Sequence, residues 1–364
     1  MQTSFEIIDG LLRNKPVERL GLHDSPWSDT LSQWAEQEGY PIKDGQPSSP
    51  VDAFNFDMAF CGGWFDQMPL RGYEEVLEET DQWVIKRNGA GAALKRFKHK
   101  SGTPEHIDFT MTSRNIWERD YRRYLLEVDR QRLDIEGAKK ELLLRKKENR
   151  WTFYGNLFIW ELMRCSMGDV CMYESLLVDP DWVHDFGRVY TDLYKAHYSI
   201  LFEEAGKPDG MWLYEDLGFC KGLFCAPGTL ETLIFPYYKE IVDFFHDHDL
   251  PVVLHSCGGI REALDLVVQA GFDALNPMEA KAGCDVIEFA KKYGDKIAFV
   301  GGMDARIFES GDRKLIRAEV NRLCTSLKDI GARYVFGSDH SISPNVKLSD
   351  FEYALETYQE HMMY

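Results

Sequence analysis

A chain of 364 residues that is 44% hydrophobic and 13% aromatic can build a large packed core, which excludes a disordered chain. Its 60 acidic and 42 basic residues leave a formal net charge of −18, which argues against nucleic acid or an anionic membrane as the main partner. No run of about 18 apolar residues occurs, and "MQTSFEIIDGLLRNKP" (1–16) lacks a basic-then-apolar export pattern, so the expectation is a cytoplasmic protein without membrane contact. The eight cysteines are then expected to be reduced thiols.

In chain order, short apolar runs predict strands at 17–24 ("VERLGLHD") and 51–60 ("VDAFNFDMAF"). An excursion follows. Residues 80–110 carry an Asn-Gly turn signal between β-rich arms and predict a hairpin. Residues 117–150 are dense in charge and helix formers and predict a solvated helical face. Six more strands are predicted at 151–156, 210–216, 251–256, 272–277, 296–302 and 333–339. The last five are nearly continuous in apolar residues, as strands covered on both faces of a parallel sheet are. Helical periodicity fills the spaces at 236–249, 261–271, 285–295 and 314–331. Alternation of this kind predicts an α/β chain folded as one (β/α)8 TIM barrel over 1–364, with the hairpin and helical insertion at about 80–150 between strands two and three. A doubly wound open sheet is the competing arrangement.

In such a barrel, reacting groups gather at the C-terminal ends of the strands. The predicted ends supply His23 and Asp24, Asp57, Tyr154, Glu215 and Asp216, His255 and Cys257, Asn276 and Glu279, Asp304, and Asp339 with His340. His23, Asp24, Asn276, Glu279 and Asp304 are therefore expected to line a substrate pocket. Trp27, Trp64 and Trp212 are candidate walls for an apolar or aromatic substrate. Asp57 follows Phe54 and Phe56, and desolvation there predicts a raised pKa and a catalytic role. Asp339 could orient His340 or join a metal.

"PVVLHSCGGI" (251–260) carries the sharpest signal. Residues two apart on a strand point the same way, so His255 and Cys257 could share one ion. Zinc accepts both, and without a neighbouring Cys-x-x-Cys the site would stay open for Lewis-acid chemistry. Further ligands must come from other strand ends. Glu215, Glu279, Asp339 and His340 are the candidates, with Glu215 assigned to the set. The plainer alternative is a packed core pair, and Cys220 and Cys225 in "CKGLFC" read as loop packing.

The segments "LHSCGGI", "LNPMEAKAG", "YGDKIAFVGGMDAR" and "FGSDHSISPNV" give the chain, from about Arg19 to its end, a resemblance to the uroporphyrinogen decarboxylase superfamily, which includes zinc-dependent methyltransferases working with corrinoid proteins. By that resemblance "FNFD" places Asp57 on the decarboxylase acid and the last segment places His340 on the family histidine. The decarboxylase branch needs an arginine-rich loop after strand one, and residues 20–34 contain no arginine; nor do residues 155–168 hold the tyrosine expected after strand three. The methyltransferase branch uses His-x-Cys on strand five, as His255 and Cys257, plus a third thiol near strand eight. Ser338, Asp339 and His340 stand there instead, which favours removing a methyl group from its donor over methylating a thiol. The resemblance thus implies zinc-assisted transfer from a small methylated substrate, such as a methyl ether, to a corrinoid on a partner protein, with a homodimer as an allowed assembly. The alternatives are a metal-independent decarboxylase or lyase acting on another acid, and a barrel that only binds a corrinoid or tetrapyrrole.

Overall fold

In a computed structural model that describes residues 1–100, 102 and 104–364, eight strands form one parallel sheet. They are β1 (Gly21–Leu22), β2 (Met58–Phe60), β3 (Trp151–Leu157), β4 (Gly210–Tyr214), β5 (Val252–His255), β6 (Ala274–Asn276), β7 (Ala298–Val300) and β8 (Tyr334–Phe336). From β2 to β8 each strand pairs with its chain neighbour, and β8 returns to β1 with Gly21 opposite Val335, which leaves β1 and β2 as the two ends of the sheet. The result is a (β/α)8 barrel, with helices such as Phe235–Asp247, Val286–Tyr293 and Arg313–Asp329 between successive strands. All eight predicted strands are present, seven of them shorter than their apolar runs and Trp151–Leu157 one residue longer. Among the described residues no helix is long and apolar enough to cross a membrane.

The β1/β2 seam is closed by one residue. The Asp57 amide donates to the Leu22 carbonyl at 2.8 Å, while its carboxylate accepts the Leu22 amide at 2.8 Å. Arg19 grips both carboxylate oxygens at 2.7 Å, and the Ser4 hydroxyl adds a bond at 2.6 Å. Asp57 precedes β2, because 50–54 is a short helix ended by Asn55 in the left-handed conformation. The expected catalytic Asp57 therefore lies at the N-terminal end of the barrel, away from the mouth. Its apolar neighbours Phe54 and Phe56 belong to the approach to the strand and not to a substrate pocket.

That end is plugged. Thr3 and Glu6 form a reciprocal cap on helix Ser4–Leu12. Ile7, Ile8, Leu11 and Leu12 then pack beneath Met58, Trp151, Val253, Ala298 and Val335 as the floor of the barrel interior.

The excursion between β2 and β3 is larger than a hairpin. Four antiparallel strands, Glu74–Glu79, Trp83–Asn88, Ala92–Phe97 and Glu105–Phe109, form a second sheet. "EEVLEE" escaped recognition because glutamate is a poor strand former; Glu74 and Glu79 are held by Lys86 and Lys98, each at 2.7 Å. The Asn-Gly step makes no two-residue turn. Asn88 Oδ1 instead accepts the amides of Ala90 and Ala92, and Gly91 takes the positive φ of 83°. The charged stretch that follows is a run of short helical turns ending in the helix Ile135–Lys147.

Removing one partner of a buried ion pair strands the other charge, at a cost of about 3–5 kcal/mol. Asp57→Ala should lose stability on that scale in urea unfolding while metal and ligand binding at the mouth persist. A variant of unchanged stability that loses binding or turnover would return Asp57 to the site.

Candidate metal centre

Strand alternation decides which side chains meet at the mouth. On β4, Trp212 and Tyr214 face the barrel interior, so the next residue in phase is Asp216; on β5 the same phase runs through Val253, His255 and Cys257. Parallel register sets Tyr214 beside His255 and His255 beside Asn276. One donor atom each from Asp216, His255 and Cys257 then lies within 4.8 Å of the others.

Local contacts orient all three. His255 Nδ1 is 2.6 Å from Asn276 Oδ1, and Asn276 donates its amide to the Val300 carbonyl at 2.9 Å. Asn276 is thereby fixed with its oxygen towards the ring, which sets the proton on Nδ1 and leaves Nε2 as the ligand nitrogen. Nε2 sits 3.4 Å from Cys257 Sγ and 3.7 Å from Asp216 Oδ1. A tetrahedral zinc separates its nitrogen, sulfur and oxygen ligands by about 3.4–3.6 Å, so the residues present fit the ion. Asp216 also receives the Cys257 amide at 3.0 Å. Burial, with the carboxylates of Asp216 and Glu279 nearby, pushes the Cys257 thiol well above its ordinary pKa, so a thiolate here needs a cation beside it.

The turn after Cys257 is dictated by contact. Gly258 has φ of 80°, and a Cβ there would stand 2.2 Å from the backbone of Gly218. Its amide donates to Glu279 at 2.6 Å, and Glu279 also pairs with Lys281 at 2.7 Å. Glu279, expected in the pocket, is a brace for this turn.

Glu215, assigned as the third ligand, is one residue out of phase. It points into the helical layer, where it accepts the amides of Phe158 and Trp160 at 2.5 and 2.9 Å and the Tyr238 hydroxyl. Burial pushes its carboxyl up to about 8. Asp216 takes the expected place, and the alternation of Trp212 and Tyr214 was the signal for it.

The cluster opens on a cavity of about 790 Å³ at the C-terminal ends of the strands. His23, Asp24, Trp27, Trp212, Asn276 and His340 are among the residues that line it. Trp64 borders the adjoining cavity instead. Two other expected residues face elsewhere. Asp339 is buried and accepts the amides of Ala280 and Ala305, each at 2.8 Å, tying together the loops after β6 and β7. Asp304 caps helix Ala305–Ser310 and pairs with Arg306 at 2.6 Å. Cys220 and Cys225 stay outside the metal-ligand group.

Residues 175–361 match the family model for uroporphyrinogen decarboxylase (URO-D). The chain belongs to the uroporphyrinogen decarboxylase family. Within that family, the uroporphyrinogen decarboxylases of Pseudomonas fluorescens (strain Pf0-1) and Pseudomonas putida (strain W619) are 34% and 32% identical over 115 residues. Each match spans 30% of this chain and 30% of the relative. The fold of the family member described here is also that of a methyltransferase from Methanosarcina mazei, with 13% identity, 99% of each chain covered and a TM-score of 0.66.

Burial pushes Asp24 up to about 6, although it accepts bonds from Ser338 Oγ, the Ser338 amide and the Ser25 amide. Between its ordinary 3.8 and about 6 the native carboxyl keeps a proton that the unfolded chain has lost. The stability it contributes is therefore full below that window and fades as pH rises through it. The difference in unfolding free energy between wild type and Asp24→Asn should fall from the lower to the upper limit of this range; a flat difference would contradict the assignment.

Proposed function

We propose that this member of the uroporphyrinogen decarboxylase family is a methyltransferase that takes a methyl group from a small methylated substrate, such as a methyl ether, for a corrinoid acceptor on a separate protein. The observation that carries this reading is the Asp216–His255–Cys257 group facing the large cavity at the barrel mouth. Zinc held by those three residues, with a coordination position left over, would supply a Lewis acid that draws electron density from the heteroatom bearing the methyl group.

The chain's own residues do the rest. Asn276 holds the His255 ring so that Nε2 faces Cys257 and Asp216. His340 turns Nδ1 towards the Ser341 carbonyl at 3.3 Å, and in its doubly protonated form the ring would donate its Nε2 proton to the departing oxygen. Trp27, Phe153 and Trp212 give the cavity aromatic walls that exclude water from a flat substrate. In this reading the corrinoid reaches the mouth on a separate carrier protein.

A metal-free decarboxylase is the second reading, favoured by the names of the two Pseudomonas relatives. It would need an acid at the reacting carbon, and Asp57, the residue nominated for that role, is committed to Arg19 at the far end of the barrel.

Elemental analysis of protein dialysed after zinc loading separates the two. About one zinc per chain is expected, lost in Cys257→Ser and Asp216→Asn and kept in Glu215→Gln. Wild type that retains no zinc, or a Glu215→Gln variant that alone loses it, would overturn the metal reading.

A further inference from the structure

The inserted sheet stands over the mouth and brings a cation with it. A second cavity, of about 860 Å³, lies between this sheet and the barrel, and Arg96, Pro104 and Asp216 border both it and the cavity beside the metal ligands. Five basic or imidazole side chains line the upper cavity. Lys86 is committed to Glu74 at 2.7 Å, Arg87 to Glu75 at 3.3 Å, and Arg164 to Glu161 at 2.7 Å and Asp169 at 2.9 Å. Burial lowers the pKa of His106, which keeps it neutral. Arg96 differs: among the described residues no carboxylate lies within ion-pair distance of it. Of the described residues lining the lower cavity it is also the one permanently charged cation.

A guanidinium left unpaired in a chain of net charge −18 is a site for an anion from outside. Its planar fork matches a carboxylate, and the aromatic walls below it suit a flat body. We propose that Arg96 is a specificity residue that binds the carboxylate of the substrate, so that the substrate class is small, flat, methylated carboxylates, held with the anionic end beneath the inserted sheet and the methylated heteroatom at Asp216, His255 and Cys257. Which end reacts rests on the methyl-transfer reading above; the anion preference does not. The strand-one loop of residues 20–34 has no arginine, so the cation facing the mouth comes from a different part of the chain.

Calorimetric titration of 4-methoxybenzoate and of its neutral analogue 4-methoxybenzamide into the zinc-loaded protein tests this. Wild type should bind the carboxylate about tenfold more tightly than the amide, the order expected of one charge-assisted bidentate contact. In Arg96→Gln that preference should collapse to within about twofold, and Arg96→Lys, keeping the charge without the fork, should retain part of it. Arg96 is exposed on its strand, so thermal melting of both variants should match wild type. Equal binding of the two probes by wild type, binding of neither, or a preference that survives in Arg96→Gln would overturn the proposal. A preference that follows Arg96 in protein that fails to retain zinc would uphold the anion site and remove the methyl-transfer reading.

Discussion

The barrel depends on a carboxylate that behaves as backbone. At the β1/β2 seam, where two short strands meet, Asp57 uses its main chain for one rung and its side chain for the next. A charge so deeply buried is tolerable only with full hydrogen bonding, and Arg19, Ser4 and Leu22 provide it. The closed ring that results sets the angular position of every strand end. The metal ligands at the ends of β4 and β5 face each other because these two strands pair directly, with Tyr214 opposite His255.

Within that ring, function follows from parity. A strand sends alternate residues inwards, so a one-residue error exchanges a cavity wall for a helix contact. Glu215 and Asp216 are chemically near-equivalent in the sequence and have unlike surroundings in the fold. The first is sealed among Phe158, Trp160 and Tyr238; the second reaches His255. The imidazole is then oriented through Asn276, whose own amide is tied to β7, so that three consecutive strands cooperate in aiming one nitrogen.

The strands and their order were legible because each is an apolar run between turn residues, and the His-x-Cys pair was legible from period two. The role of Asp57 was misread because "FNFD" reads as a strand that ends in aspartate, whereas a short helix and the left-handed Asn55 delay the strand until Met58. Asp304, Glu279 and Asp339 sit at strand ends as expected but cap or brace loops there, a distinction carried by partners remote in sequence. The inserted sheet was only half visible. Four of the six residues of its first strand are glutamate, and Lys86 and Lys98 supply what intrinsic preference lacks. Arg96 had no signal of its own, since its neighbours across the cavities come from distant parts of the chain.

The plug at the barrel floor ties together the two extremes of the polypeptide. Helix Ser4–Leu12 rests against Val300 and Val335, and a methyl group on Gly21 would collide with both Ile8 and Val335. During synthesis Met58 and Trp151 can cover part of the opening helix early, but the cover given by Val335 arrives only after more than three hundred further residues have emerged. A ribosome-bound chain halted before β8 would therefore carry a floor that is only partly sheltered.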